Sequence, residues 1–234
     1  MPLNNRRIIA TLFALTALTS AVFVVWPGFD LRITGWFFDK TTFPIAQNHP
    51  IEAFRLFLWD ASLVVLGLFV VMTLASAALR RPVLRLPLRV WAYGLAVFLL
   101  GPGLLVNGVL KAYWGRARPF SVIDFGGDKL FSRAYAISDQ CAANCSFVSG
   151  EVAGGTAMAV GLWLILTAWR EKLPAAVHAT LAVLILALPF VTGLQRVAAG
   201  NHFASDALLA GLFVALIAAL LRPMLPPGRD LGDS

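Results

Sequence analysis

Apolar residues along this chain gather in six runs, about residues 8–27, 57–79, 90–110, 150–169, 175–194 and 205–221. Each is close to the roughly 20 residues that carry an α-helix across a bilayer. The pattern predicts an all-α membrane protein, a six-transmembrane-helix bundle forming one domain over residues 1–234, with 226–234 as a tail. Arg170-Glu171-Lys172-Leu173-Pro174 is a tight turn, and Pro174 suits the first turn of the helix that follows. The first run follows Arg6 and Arg7, as a secretory leader would. Its apolar stretch is longer than a leader's, and no small-x-small cleavage site precedes the next polar segment, so it is read as a retained helix. Trp26, Trp59, Trp91 and Trp169 lie at or near run ends, where indoles mark the membrane interface. Between the first two runs, Ile33, Trp36, Phe37 and Phe38 are mixed with Arg32, Asp39 and Lys40, which suggests an amphipathic connector lying on the membrane surface.

Composition sharpens this picture. Apolar residues make up 59% of the 234 positions and charged ones 13%, which excludes a disordered chain or an ordinary soluble domain. A net charge of +7 raises the question of nucleic acid, but the basic residues sit in short clusters between apolar runs, not along one polar face. No nucleic-acid partner is expected. With the N-terminus inside, Arg6, Arg7, Arg80, Arg81, Arg85, Arg89, Arg170, Lys172, Arg222 and Arg229 fall in inner segments and nine basic residues in outer ones. The inner segments are shorter and denser in charge, so both termini are placed in the cytoplasm. Cys141 and Cys145 lack the partners and spacing of a zinc site. Their loop is placed outside the cytoplasm, where thiols are oxidised, and a turn would bring their Cα atoms within bridging range, so a disulfide is expected.

Three polar clusters stand at run ends, all on one side of the membrane whichever way the chain is inserted. The first is Lys111-Ala-Tyr-Trp-Gly-Arg116-Ala-Arg118-Pro119, the second Ser146-Phe-Val-Ser149-Gly150-Glu151, and the third reaches from Gln195-Arg196 to Asn201-His202 and Asp206. Lys111, Arg118 and Arg196 are three cations that would neutralise a phosphate through ground and transition states. Ser149 and Gly150 open a helix, whose free N–H groups and dipole attract an anion. The same two residues also fit an ordinary N-cap followed by a small-residue packing seam. His202 and Asp206 are four apart and share a helix face, so the carboxylate can hold one ring nitrogen while the other faces phosphorus.

These residues resemble the type 2 phosphatidic acid phosphatase family of membrane lipid phosphatases. That family's pattern is Lys, six residues, Arg-Pro; then Pro-Ser-Gly-His; then Ser-Arg, five residues, His, three residues, Asp. Lys111, Arg118 and Pro119 fit the first element, Ser149 and Gly150 the second, and Arg196, His202 and Asp206 the third. Val148 replaces Pro, Gln195 replaces Ser, and Glu151 stands where the family has its second His. The resemblance implies a hydrolase without metal or other cofactor, which takes a phosphorylated lipid and forms a phosphohistidine on His202, oriented by Asp206. It also implies a multi-pass protein of a bacterial inner membrane with its site facing the periplasm. The loop Cys141-Ala-Ala-Asn-Cys145 leading to Glu151 resembles members associated with lipid A 1-phosphate removal, ahead of undecaprenyl diphosphate and phosphatidylglycerophosphate. A transporter that only binds an anionic lipid would explain the cations, but not a His with an Asp four residues later.

Glu151 is the departure with chemical weight. As an ionised carboxylate it would repel substrate, and as a protonated acid it would donate to the leaving oxygen. A leaving group that is already good, such as a phosphate or an anomeric sugar oxygen, would make an acid unnecessary. A first-turn carboxylate is also favoured by the helix dipole alone. The expectation is a single phosphate-sized pocket ringed by Lys111, Arg118, Arg196, Ser149, Gly150 and His202, with Glu151 at its rim and Asn107 one turn below Lys111.

Overall fold

The computed structural model describes residues 3–225, so the tail at 226–234 lies outside the described residues. Six helices in it are long and apolar enough to cross a membrane. The first span is Leu3–Val25 and the second His49–Leu79. The third runs over Leu88–Tyr113, the fourth is Gly150–Ala168, the fifth Ala175–Ala198 and the sixth Ala204–Leu221.

The second and fifth spans extend beyond their apolar runs in ways that matter for the site. The second begins at His49 because the Asn48 side chain accepts from the Ile51 N–H at 3.1 Å and Pro50 sits in the first turn. Its opening turns are polar and carry Glu52 and Arg55 outward from the apolar run. The fifth continues past Leu194, so that Arg196 lies within the helix.

The fourth span is the centre of the bundle, packing on the second, third, fifth and sixth, while the first span lies against the sixth. Small residues make this possible, because backbones approach closely where no side chain intervenes. The Phe69 ring, fully buried, occupies the space that a Cβ would need at Gly94 on the third span and at Gly161 on the fourth. Trp91 packs edge-on against it at 5.0 Å and donates from Nε1 to the Val83 carbonyl, so this indole belongs to the core and not to the interfacial belt. The apolar helix end that exposed it to a belt reading is covered by neighbouring side chains.

Within the third span, Leu99–Leu110 is wound as a wider π-helix around Pro102. Proline offers no N–H and its ring displaces the carbonyl of the preceding turn, so the regular ladder cannot run through it. Asn107 Nδ2 donates to the Pro102 carbonyl at 2.7 Å, replacing part of what the ladder loses.

Above the bundle the long third-to-fourth connection is capped by a short helix, Gly28–Gly35, and by an aromatic cluster of Phe38, Phe43, Phe125 and Phe203. The first connection is therefore more than a surface linker. Asp30 and Thr34 on its helix are fully buried, and Asp30 reaches the start of the sixth span.

Candidate active site

The site is built where the fifth span ends and the sixth begins. Gly200 takes a φ of +66°, which only glycine adopts without strain, and a Cβ there would collide with the Phe43 ring. The chain then doubles back, and the N–H groups of Asn201 and His202 both donate to the Arg196 carbonyl, at 3.0 and 3.3 Å. Six residues of sequence are thus folded into one corner that holds a cation and an imidazole together.

His202 is held from one side only. Its Nδ1 lies 2.8 Å from the Ser146 carbonyl oxygen. A carbonyl only accepts, so Nδ1 carries the proton and Nε2 keeps its lone pair. Burial pulls the ring well below its ordinary pKa, and Lys111, Arg118 and Arg196 pull it further. A neutral imidazole with a free Nε2 is the form that attacks an electrophile.

Asp206 does not bond the ring directly, in contrast to the expectation from its spacing, since its Oδ2 is 4.0 Å from Nδ1. The carboxylate is fully used elsewhere. Its Oδ2 accepts from Ser146 Oγ at 2.6 Å and from the Phe203 N–H at 3.0 Å, and its Oδ1 accepts from Arg116 at 2.6 Å. The capping role explains the difference, because three residues from the helix start the carboxylate folds back on the Phe203 amide. Asp206 reaches His202 through Ser146, which bonds the carboxylate by its hydroxyl and the imidazole by its carbonyl.

Arg116 links this arrangement to the cap. The side chain is completely buried and donates to Asp206, to Asp30 at 2.8 Å, to Ser205 Oγ and to the Ser132 carbonyl, while its guanidinium lies 4.3 Å from the centre of the Phe203 ring. Burial pushes Asp30 above its ordinary value, Arg116 pulls it back, and Asp206 nearby pushes it up again. Ser205 steadies Asp30 by both its N–H and its hydroxyl, at 2.9 and 2.6 Å. Every charge in this group has a partner.

Beside it opens a cavity of about 480 Å³, lined by His202, Lys111, Arg118, Arg196, Gly150 and Asn107, and also by Glu52, Arg55, Glu151, Asn144 and Asn201. It is several times larger than one phosphate needs. Arg118 is held by neutral oxygens, with two bonds to the Asn144 carbonyl at 2.9 and 3.2 Å and one to Asn201 Oδ1 at 3.1 Å. Its charge therefore stays available. Asn144 lies inside the loop closed by the Cys141–Cys145 disulfide, so that loop presents the carbonyl that aims Arg118. Arg196 is 4% exposed and lines the cavity, and its Nε is buried with no hydrogen-bond partner among the described residues. At Gly150 a Cβ would stand 3.2 Å from Asn107 Oδ1 and 3.7 Å from Lys111 Nζ, so glycine keeps this end of the fourth span open.

Of the residues singled out in the sequence, Lys111, Arg118, Arg196, Gly150, His202, Glu151 and Asn107 meet at the cavity, and Ser149 and Asp206 do not line it. Ser149 is fully buried as the N-cap of the fourth span, its hydroxyl accepting from Val152 and its N–H donating to the Asp206 carbonyl. Capping turns the hydroxyl along the helix instead of into the cavity. Glu151 accepts from Arg55 at 3.1 Å and lies 3.5 Å from Arg196. Sequence reading missed Arg55, Asp30 and the role of Ser146. A charged pair three residues apart at the mouth of a span, Glu52 and Arg55, was the available signal for the first. Among the described residues no three His, Cys, Asp or Glu side chains are grouped to hold a metal ion.

The fold is a bundle of six membrane-spanning helices. It matches the crystal structure of a transmembrane PAP2 type phosphatidylglycerolphosphate phosphatase from Bacillus subtilis with a TM-score of 0.55 at 18% identity, over 92% of this chain and 94% of that one. The sequence profile of the PAP2 superfamily matches residues 89–229, and the chain belongs to that superfamily. A lipid A 4'-phosphatase of Francisella tularensis subsp. novicida is 33% identical over 201 residues, 82% of this chain and 84% of that protein. A lipid A 4'-phosphatase of Rhizobium leguminosarum is 40% identical over 127 residues, 54% of this chain and about half of that relative at 51%.

Proposed function

We propose that this enzyme removes a phosphate from the sugar head group of a lipid A-type lipid, at the 4' position, through a phosphohistidine on His202. The observation that carries the reading is the cavity itself: a neutral imidazole pinned at Nδ1, with Lys111, Arg118 and Arg196 around it. Nε2 attacks phosphorus, the P–O bond to the sugar breaks, and the sugar oxygen leaves and takes a proton from water. Water then attacks phosphorus, the P–N bond breaks, and inorganic phosphate departs. The cations lower the cost of charge on the non-bridging oxygens in both steps. The names of the relatives favour the 4' position over the 1 position that the Cys141–Glu151 loop suggests by resemblance, and with it an ordinary sugar hydroxyl in place of the good leaving group expected from Glu151.

The disulfide supports a site facing an oxidising compartment, in agreement with the charge pattern that puts both termini in the cytoplasm of a bacterial inner membrane. The test is turnover of bis-phosphorylated lipid A by the purified chain in detergent with a chelator present, read by mass spectrometry. The expected product keeps its 1-phosphate and has lost the 4'-phosphate. Loss of the 1-phosphate alone would move the assignment to the other end of the sugar backbone, and no phosphate release would end the hydrolase reading.

A further inference from the structure

Glu151 occupies the family's histidine position, yet its surroundings are those of an acceptor. One oxygen, Oε1, takes a hydrogen bond from Arg55 Nη1 at 3.1 Å and faces Arg196 Nη1 at 3.5 Å. Arg55 also meets Glu52, through Nε at 2.7 Å and Nη2 at 2.6 Å. A guanidinium has five N–H groups, and these contacts use three, so one hydrogen on each terminal nitrogen remains for another acceptor. Arg55 comes from the second span, outside the residues 89–229 that match the superfamily. It nevertheless lines the same cavity as Lys111, Arg118 and Arg196.

Charge gives the arrangement a purpose. Four cations and two carboxylates, Glu52 and Glu151, line the cavity, which leaves two positive charges in excess. A phosphate monoester carries close to two negative charges at neutral pH. The side chains of Arg55 and Glu151 are 18% and 21% exposed, so their pairing is largely sheltered from the screening that weakens surface ion pairs.

We propose that Arg55 is a fourth phosphate-binding cation of this site, and that Glu151 is a positioning residue that holds Arg55 and Arg196 together on the cavity wall. The histidine of the family's pattern is thus replaced by a carboxylate that recruits an extra guanidinium. This rests on the phosphatase reading for its anion, but not on which lipid bears it.

The experiment measures binding of inorganic phosphate to the purified full chain in detergent, alongside phosphate release from lipid A, for wild type, Arg55→Gln, Arg55→Lys, Glu151→Ala and the double variant Arg55→Gln/Glu151→Ala. Arg55→Gln is expected to weaken phosphate binding about tenfold, the order of one charge-assisted hydrogen bond. Arg55→Lys restores part of it, because the charge returns without the fork. Glu151→Ala weakens phosphate binding several-fold although it removes a negative charge, a sign that simple electrostatics would reverse. In the double variant the Glu151 effect shrinks to the part carried by Arg196, because the part that acts through Arg55 is gone. Unchanged phosphate affinity in both Arg55 variants overturns the proposal. So does a Glu151→Ala variant that binds phosphate as wild type does, loses only kcat, and loses it equally in the Arg55→Gln background. Arg55-dependent phosphate binding without release from lipid A would leave this inference standing and remove the lipid reading.

Discussion

Arg116 and Arg118 stand two residues apart on one loop and end in opposite conditions. Arg116 is sealed among Asp30, Asp206, Ser205 and the Ser132 carbonyl, its charge matched by two carboxylates. Arg118 is steered by the Asn144 carbonyl and the Asn201 amide oxygen, which fix its direction and leave its charge unmatched. The two regions are built from the same residue types. For these two loop arginines, the charge of the acceptors around each, together with full burial of Arg116, separates a structural knot from a cation that lines the cavity.

The largest effect is expected where the regions meet, at His202. His202→Ala should lower turnover about 10⁴-fold or more, as loss of a nucleophile does, with the bundle still folded. Wild-type rates in that variant would discard the mechanism. Next in size is the contrast itself. Arg116→Ala leaves Asp30 and Asp206 buried without a counter-charge and should cost about 3–5 kcal/mol, read as a collapse in thermal stability in detergent. Arg118→Ala should keep its melting temperature and lose about 100-fold in kcat/KM, the usual cost of one preorganised donor. If the two variants melt alike, the distinction between them fails.

A smaller effect concerns pH. The folded-state pKa of His202 is depressed by burial and then by the three cations, so its active neutral form persists as pH falls through 6.5. After correction for the substrate's own ionisation near pH 6, the acid limb of kcat/KM should lie below 6.5, and Arg118→Gln should move it upward by removing one repelling charge. A limb centred at or above 6.5 in wild type would mean the ring is not so held. The smallest effect is at the disulfide. Replacing both Cys141 and Cys145 by Ser should cost a few-fold in kcat/KM with KM rising most, because the Asn144 carbonyl then aims Arg118 less well; kinetics of that variant against wild type would show it.

The six spans were legible because a bilayer demands long apolar runs, and Lys111, Arg118, Arg196 and His202 because their spacing fits a known pattern at converging helix ends. Ser149 makes the N-cap contact that was one of its two readings but does not line the cavity, and Asp206 does not make the ring contact its spacing suggests. A helix start offers a hydroxyl or carboxylate two acceptors at once, a backbone amide or a neighbour, and spacing alone does not choose. Asp30 left no local signal, and Arg55 only its spacing to Glu52, for another reason. Asp30 meets Ser205 across 175 positions and Arg55 meets Glu151 across 96, and both lie in segments whose local pattern suggests only a connector.

The knot around Arg116 also sets an order of assembly. Asp30 is synthesised before the second span, Arg116 after the third, and Asp206 only as the sixth begins. An acid, then a base, then a second acid emerge in turn, and none of them is tolerated alone in an apolar interior. The cap therefore cannot close on a bundle that lacks its last helix. Asp30 alone leaves the guanidinium half-bonded, and only the sixth span, through Asp206 and Ser205, completes its set of acceptors.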